Sequence, residues 1–214
     1  MPTYPTPEPI AVSVEVLSGT VTVVAADRTD TVVTVRPADA AKKGDIRAAQ
    51  QTRVDFAAGA LAVTTPKEWR TYTPFGGNPS IEVTVEVPIG SRLTGTVAVG
   101  RLLASGGLGP CELEVAAGDV LVAGPLDSVT AKVAKGDIRV EEASRGELRL
   151  ETSMGELQVG ISAGSGAHLE VAALHGTVRN DMGPIGGVPS SGEMLRVRAR
   201  NSFGDIVIRH AATV

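Results

Sequence analysis

Four acidic residues stand directly after a glycine at related points of the sequence: Asp119, Asp137, Glu156 and Asp205. A row of carboxylates can bind Ca²⁺, or act as acid and base on a polysaccharide when two carboxyl groups lie about 5–10 Å apart. An acid beside a turn glycine can instead hydrogen-bond to the backbone. The dense Gly-Gly-x-Gly-x-Asp nonapeptides of calcium-binding rolls do not occur, and only 3% of the residues are aromatic, so sugar-stacking side chains are scarce. The pattern therefore favours turn chemistry.

The one cysteine and the three histidines give no catalytic or metal-binding pattern. Cys111 occupies a position that is Val or Leu in related segments, which predicts a buried thiol packed as a small apolar side chain. His168, His175 and His210 show no ligand spacing such as His-x3-His, and there is no second cysteine. We therefore expect these residues to be structural or at the surface, with no catalytic residue, no metal and no cofactor.

Three arginines, Arg196, Arg198 and Arg200, alternate with apolar residues and so share one face of a predicted strand. A basic outer edge on the last repeat of the chain could dock an anionic partner. More often, charges on a terminal strand prevent edge-to-edge pairing with other chains. We expect the second role.

The aromatic residues Trp69, Tyr72 and Phe75 cluster in an irregular loop at 65–79. If exposed, they would form a binding patch; if buried, they would plug the N-terminal end of the fold, which is the interpretation we favour. A second irregular loop lies at 181–192. Because the regular parts of the chain are explained as architecture, we expect any function to lie in these two loops.

The elements that carry these residues come from one phrase that is repeated five times. Its copies centre on glycines spaced by 18, 19, 21 and 28 residues: Gly118, Gly136, Gly155, Gly176 and Gly204. Apolar and polar residues alternate on both sides of each glycine, which is typical of half-buried strands. Glycine tolerates the geometry of a tight corner. Each copy is therefore predicted to be strand, corner, strand.

A single copy cannot bury its apolar face, so it needs neighbours above and below it. Stacked copies lie about 4.8 Å apart. Their outward residues then form columns in which the signs of charge mostly alternate, in chain order Glu112, Thr130, Arg149, Glu170 and Arg198. The sequence predicts an all-β fold: a single-domain parallel β-solenoid, similar to a β-helix, over 1–214, with regular repeats of 18–28 residues at 111–210.

The segment 1–110 is predicted to hold irregular coils and a cap. Its predicted parts, in chain order, are an extended arm at 1–9, an early copy of the phrase at 10–24, a strand at 31–36, a loop or short helix over one end of the sheet at 38–51, a partial copy around Gly59, a strand at 81–87 and an irregular coil at 89–110. Within 38–51, Asp45 is a candidate helix cap.

Composition excludes several classes of protein. A net charge of −4 and a pI of about 5.4 argue against a nucleic-acid binder, which would carry a basic patch. The chain opens on a proline-rich segment with no signal-peptide pattern, and no apolar run approaches the roughly 18 residues of a membrane span. We expect a cytoplasmic protein with no membrane span and no nucleic-acid partner.

Three segments carry a resemblance to a known family. They are Pro-Glu-Pro-Ile-Ala-Val-Ser-Val at 7–14, Asp-Arg-Thr-Asp-Thr-Val-Val-Thr-Val-Arg-Pro at 27–37, and Ser-Phe-Gly-Asp-Ile-Val-Ile-Arg at 202–209. With the Gly-Asp-Ile/Val-x-Val phrases, they resemble the bacterial putative-adhesin family of β-strand-repeat proteins, a family of unknown function. The resemblance covers nearly the whole chain and implies a solenoid-like fold, but no catalytic or binding residue.

The sequence thus predicts a non-enzymatic structural or interaction protein, an adhesin-like scaffold that binds a protein partner or a second copy of itself. The alternative is a polysaccharide-binding or polysaccharide-active β-helix protein. Carboxylates clustered in an open groove lined by Trp69 or Tyr72 would favour that alternative, and their dispersal at corners would argue against it. A third hypothesis is a regulatory partner of a membrane or stress-response system.

Overall fold

The computed structural model describes residues 2–66, 79–182 and 194–211. These residues form an all-β structure with one short helix, α1 (Lys43–Gln51). The strands, in chain order, are β1 (Thr3–Pro5), β2 (Ala11–Ala26), β3 (Asp30–Pro37), β4 (Arg53–Ala57), β5 (Ala60–Thr64), β6 (Ile81–Pro88), β7 (Arg92–Ser105), β8 (Cys111–Ala123), β9 (Val129–Lys135), β10 (Ile138–Ala143), β11 (Glu147–Met154), β12 (Leu157–Ile161), β13 (Gly166–His175), β14 (Val178–Asn180), β15 (Met194–Phe203) and β16 (Ile206–His210).

The strands form two stacks that are joined at the corner glycines. The first stack has the order β4-β5-β2-β7-β8-β9-β11-β15-β13. The second stack has the order β1-β3-β6-β2-β7-β8-β10-β12-β16-β14. The long strands β2, β7 and β8 run through their corners and contribute to both stacks. Pairing is parallel except at β1–β3, β3–β6 and β4–β5. We use the term level for one first-stack strand together with the second-stack strand that follows it after the corner glycine.

Alternate residues of both stacks point into one aliphatic core. A Cβ added to Gly95, in the first-stack half of β7, would lie 2.5 Å from Cδ1 of Leu102 in the second-stack half. The two stacks therefore face each other across the core. Leu148 and Leu157, one from each stack, are fully buried. Each such burial contributes about 1.5–3 kcal/mol relative to exposure, so a core without aromatic rings is sufficient to hold the levels together.

The corner glycines stack on one another and leave no room for a side chain. Gly118 has a φ of +132°, and a Cβ there would lie 1.7 Å from the carbonyl oxygen of Gly100. Gly136 has a φ of +139°, and a Cβ there would lie 1.9 Å from the carbonyl oxygen of Gly118. A φ this large lies beyond the left-handed helical region that Asn also visits, and the close backbone approach leaves no space for a Cβ, so both features require glycine. This contact explains why the same residue recurs at every corner.

The levels do not follow the order of the chain at the C-terminal end. β15 pairs in register with β11 along one edge and with β13 along the other, so the fifth copy of the phrase lies between the third and the fourth. β16 lies in the same way between β12 and β14. The prediction of a terminal strand carrying Arg196, Arg198 and Arg200 is therefore wrong, because that strand is paired along both edges. The longest glycine spacing, from Gly176 to Gly204, accompanies this reversal.

One regular level was hidden in the sequence. The prediction of an irregular coil at 89–110 is wrong, since β7 forms a level with its corner at Gly100 and pairs in register with β8. Gly95 stands where the other copies have an apolar side chain, and this interrupts the alternation. The side chain of Leu102 fills the vacant space from across the core.

Antiparallel strands and the helix close the N-terminal end. The predicted arm at 1–9 contains β1, which pairs with β3. The segment around Gly59 is an antiparallel hairpin of β4 and β5, with Ala58 and Gly59 at positive φ in the turn, and is not a level of the stack. The helix predicted within 38–51 is confirmed as α1, which lies against β3 and β6.

Asp45 ties this helix to the sheet and does not cap it. The residue before α1 is Lys42, which makes no side-chain cap. Oδ1 of Asp45 accepts a hydrogen bond from the backbone N–H of Ser80 at 3.0 Å, and Oδ2 accepts one from that of Asp39 at 3.2 Å. The carboxylate is buried, so it satisfies two backbone donors at the point where helix, loop and β6 meet.

Candidate functional site

Cys111 is a core residue, as its place in the repeat predicts. It begins β8, its side chain is 1% exposed, and burial raises the pKa of its thiol to about 12. Its Sγ lies 3.4 Å from the carbonyl oxygen of Gly109. Because the thiolate is the reactive form, a thiol held neutral and out of solvent is a poor nucleophile.

Three of the four corner acids accept hydrogen bonds from the backbone of the neighbouring level, whereas Oε1 of Glu156 accepts one from Nε2 of Gln158 at 2.9 Å. Oδ1 of Asp119 accepts the N–H of Asp137 at 3.2 Å, and Oδ1 of Asp137 accepts the N–H of Glu156 at 2.7 Å. Oδ1 of Asp205 accepts the N–H of Thr177 at 2.8 Å, and this bond holds the pKa of Asp205 below its usual range. The predicted backbone role is confirmed for these three aspartates, but the partner is the next level and not the residue's own turn.

The histidines are dispersed. The ring of His175 stacks on Phe203 with centroids 4.7 Å apart, Nε2 of His168 lies 3.4 Å from Oε1 of Glu170, and His210 ends β16. Among the residues that the structure describes, no three His, Cys, Asp or Glu side chains converge in a way that could hold a metal ion. The described part of the chain also contains no helix that is long and apolar enough to cross a membrane.

The two loops predicted to carry function fall mainly outside the described residues. Trp69, Tyr72 and Phe75 lie within 67–78, and 183–193 covers most of the loop at 181–192. At the start of the first loop, the hydroxyl of Thr65 accepts the N–H of Leu17 at 3.0 Å and anchors the chain beside β2.

A groove of about 780 Å³ crosses the outer face of the first stack over β9, β11, β15 and β13. Its charged lining residues are Lys132, Arg149, Glu151, Glu170, Arg198 and Arg200. We call it the arginine groove. The reversed order of the last two levels creates its charge pattern, because it places Arg198 directly beside Arg149.

Two glutamates pair with the central arginines of the arginine groove, Glu170 from within its lining and Glu147 from its edge. Oε2 of Glu147 accepts a hydrogen bond from Nη2 of Arg149 at 2.9 Å, and its Oε1 lies 3.2 Å from Nη1 of Arg198 without hydrogen-bond geometry. Glu170 accepts a bond from Nε of Arg198 at 2.9 Å. The bond from Arg149 holds the pKa of Glu147 below its usual range, and that from Arg198 lowers the pKa of Glu170. These contacts offset the repulsion between the neighbouring arginines.

Two guanidinium groups beside this centre make no ion pair within 4 Å with a described residue, although Arg196 is the strand neighbour of Glu147 and its charge helps to lower the pKa of that carboxyl. Arg196 and Arg200 flank Arg198 on the outer face of β15, and both are exposed. Neither has a carboxylate within 4 Å among the residues of the described ranges. The strand neighbours of Arg200 are Glu151 and Ala172, so only one of its two neighbours is acidic.

The C-terminal end of the stack forms a second surface feature. β13 and β14 pair only with β15 and β16, and no described strand lies beyond them. Inward residues of β13, such as Leu169, are only half-buried, whereas their counterpart Val197 in β15 is fully buried. This face is called the open end.

Exposed apolar side chains surround the corner next to the open end. Leu174 is 73% exposed, Met154 and Phe203 are each 52% exposed, and Val178 is 48% exposed. Met154 neighbours Phe203, which neighbours His175, so the side chains lie on adjacent levels. We call this set the corner patch. Met154, His175 and Phe203 each stand just before a corner glycine, and Leu174 and Val178 lie on either side of the corner at Gly176. The position before the glycine follows no rule in the sequence, although Met, His and Phe occupy it in three of the last levels.

Solved structures show what this fold is similar to. A putative cell adhesion protein from Clostridium sporogenes matches with a TM-score of 0.61 and 10% identity, over 98% of each chain. A putative adhesin from Bacteroides fragilis matches with a TM-score of 0.46 and 13% identity, over 97% of this chain and 95% of that one. A putative lipid binding protein from Parabacteroides distasonis has a TM-score of 0.32 and 9% identity, over 99% of this chain and 94% of that one.

No protein-family model matches the sequence, and no curated protein matches it. At these identities the structural likeness concerns the fold alone, and of these three structures the Clostridium protein is similar enough to carry that argument. The comparison therefore supports an all-β chain of the same overall fold as a putative cell adhesion protein.

Proposed function

We propose that this chain is a non-catalytic interaction protein of the putative-adhesin type, built as a parallel β-solenoid, that associates with a second copy of itself through the open end. The observation that carries the proposal is that a strand edge with no described strand beyond it lies next to the exposed corner patch. An edge strand presents a row of unpaired N–H and C=O groups, which is a template for pairing with another chain.

The solenoid interpretation is supported by the in-register parallel pairing of successive levels. Equivalent residues follow one another from level to level, as in Leu93, Cys111, Val129 and Leu148 along the first stack. Repeat stacks of this kind need their ends covered, because a terminal level buries its apolar face on one side only. A second copy supplies that cover.

A second copy fits the open end by symmetry. Two β13 edges related by a two-fold axis run antiparallel, so each can pair with the other through the same residues. The corner patch lies beside that edge and supplies apolar area, with Phe203 as an aromatic anchor of the kind that dominates interface energies. The non-catalytic part of the proposal is supported by the positions of the candidate residues, since Cys111 is buried and the corner aspartates bind backbone N–H groups.

Sedimentation velocity of the purified chain over a wide concentration range tests this proposal. We expect the wild type to form dimers as concentration rises. Leu174→Lys with Val178→Lys should keep the chain monomeric, because two charges would be brought into the apolar contact. The matched control is Val99→Lys, which changes a 45% exposed residue near another corner, far from the open end.

A wild type that stays monomeric at high concentration would overturn self-association. Equal loss of dimers in the Val99→Lys control would place the contact elsewhere. In either case, affinity capture from the native cell would identify a different protein partner. The cytoplasmic location predicted from the sequence remains a prediction, and cell fractionation tests it.

The alternative function, polysaccharide binding, is favoured by a different observation. The arginine groove provides cations on an open outer face, whereas the three corner aspartates accept hydrogen bonds from the backbone. The binding version of the alternative is therefore supported and the catalytic version is not.

A further inference from the structure

The arginine groove concentrates positive charge on an otherwise acidic protein. The chain has a net charge of −4, yet the groove lining has four cationic side chains and two carboxylates. With Glu147 and Arg196 at the groove's edge included, three carboxylates stand among five cations, and Glu151 lies between Lys132 and Arg200. Glu170 is bonded to Arg198, and Glu147 at the groove's edge takes both Arg149 and Arg198. The remaining positive charge sits on Lys132 and on the arginines that flank this network.

The three arginines on the outer face of β15 have a regular spacing. Arg196, Arg198 and Arg200 alternate along the outer face of β15, which separates successive guanidinium-bearing positions by about 6.8 Å. Arg198 is held by Glu170, so the central position is fixed, while Arg196 and Arg200 are exposed on either side of it. A planar guanidinium binds a carboxylate through two parallel hydrogen bonds. The face is therefore suited to a ligand that repeats carboxylates along a chain.

Three of the four strands beneath the groove cannot take a peptide as an added strand, and the fourth, β13, has its unpaired edge at the open end. β9, β11 and β15 are paired along both edges, so their backbone groups are already used. No aromatic residue lines the groove. Aromatic side chains usually supply the anchors of protein interfaces and the platforms that stack on neutral sugars, so both ligand types are disfavoured.

We propose that the arginine groove, together with the adjoining Arg196 on the same face of β15, binds an acidic polysaccharide that carries carboxylates on successive sugar units, with Arg196 and Arg200 as its contacts. The site uses an outer face and not the open end, so it does not depend on self-association. The polysaccharide would be a second ligand besides the second copy of the chain. The two proposals can fail independently, because the variants that test them lie on different surfaces.

The test uses the full chain and polygalacturonate as the probe, with binding followed by isothermal titration calorimetry at low and moderate salt. We expect the wild type to bind, and the affinity to fall as salt rises because exposed charges are screened. Arg196→Gln with Arg200→Gln should weaken binding by at least tenfold. The control is Arg53→Gln with Arg92→Gln, which removes two exposed arginines on strands outside the groove and should leave the affinity unchanged.

Three further measurements decide the ligand class. Neutral dextran should not bind, and poly-L-glutamate should bind more weakly than polygalacturonate. Unfolding curves of both double variants should match the wild type, since the side chains are exposed. Absence of polygalacturonate binding, equal weakening by the control variant, or tighter binding of poly-L-glutamate would each overturn the proposal. A milder variant, Arg200→Lys, should retain part of the affinity, because it keeps the charge and removes the two-pronged hydrogen bond.

Discussion

At the N-terminal end of the stack, β1, β3, β4 and α1 lie over the parallel levels, whereas at the other end β13 and β14 have no described strand beyond them. The covered end is fixed by directional contacts: Asp45 bonds two backbone N–H groups, and Arg28 pairs with Asp30 and Glu86. Its outermost strands are short or charged, with Pro5 in the three-residue β1 and Arg53 and Asp55 on β4. Such features prevent pairing with another chain.

The open end has the opposite character. β13 is ten residues long and the second-stack strand beside it, β14, is exposed throughout. Leu174 and Val178 present apolar surface there without a charged residue between them and the corner. Among the described residues the stack therefore ends in two ways: one end is covered by other strands and a helix of the chain, and the other has no described strand over it, which is where we propose that a second copy binds. The interior levels are covered on both sides, so the stability of each end can be compared with theirs.

The largest effect is expected from filling an interior corner. Gly136→Ala places a Cβ 1.9 Å from the carbonyl oxygen of Gly118 at a φ of +139°, so the backbone of two levels must move. We expect a loss of about 4 kcal/mol or more in the free energy of unfolding, measured by urea denaturation. Gly176→Ala makes a similar contact with Gly204, but at the open end, where the terminal level can shift outward, and should lose about 1 kcal/mol.

The control for both is Gly124→Ala, which has a φ of +61° and nothing within 4 Å of the added Cβ. It should show only the backbone strain of a left-handed residue, about 1 kcal/mol. If Gly176→Ala destabilised the protein as much as Gly136→Ala, the open end would be as rigid as the interior, and the contrast between them would fail.

A smaller difference is expected within one core column. Leu148 and Leu169 occupy the same position of the repeat, but Leu148 is fully buried in an interior level and Leu169 is half-buried in the terminal one. Leu148→Ala leaves a cavity and should lower the free energy of unfolding by about 2–5 kcal/mol. Leu169→Ala should lower it by about 1 kcal/mol. Thermal denaturation by circular dichroism measures both, and equal losses would mean that the terminal level is covered in solution.

The smallest expected effect concerns pH at the open end. The bond from the N–H of Thr177 lowers the pKa of Asp205 in the folded chain, so this carboxylate contributes stability that is present above its ordinary pKa and is lost as pH falls through the folded pKa. Asp205→Asn should therefore be less stable than the wild type at neutral pH, and the difference should narrow below about pH 4. Unfolding free energies from urea titrations at several pH values measure this.

The comparison residue for the pH effect is Asp55, an exposed carboxylate on β4 at the covered end. Asp55→Asn should leave the unfolding free energy unchanged at every pH. A difference for Asp205→Asn that stays constant from neutral to acidic pH would show that the lost contact is not the ionised carboxylate.

Much of the architecture could be predicted from the repeat, because its signals are local. Alternation assigns Cys111 and Leu148 to the core and Arg149 to the surface, and the glycines mark the corners. The β7 level was missed because Gly95 breaks the alternation, and the space it leaves is filled by Leu102 from the opposite stack. The hairpin at Gly59 was mistaken for a level because alternation does not distinguish parallel from antiparallel pairing.

The candidate sites were less accessible to sequence reasoning. The arginines on β15 were recognised as a face, but their neighbours depend on which level stacks on which. Chain order puts Glu170 between Arg149 and Arg198, whereas the structure puts the two arginines side by side and Glu170 beyond them. The hydrogen bonds of the corner aspartates also cross levels. A single copy of the phrase therefore contains the carboxylate but not the backbone N–H group that it binds.

The sequence by itself determined the strand, corner and core positions of each level, because alternation and the demand for glycine act within a few residues. Only the tertiary structure decided the order of the levels and which end is left open. Every level offers the same inward apolar residues and the same glycine backbone, so the repeat allows any level to pack on any other. The order was set by contacts between residues distant in the chain, which united Arg149, Arg198 and Glu147 in one groove and placed β13 at the end of the stack.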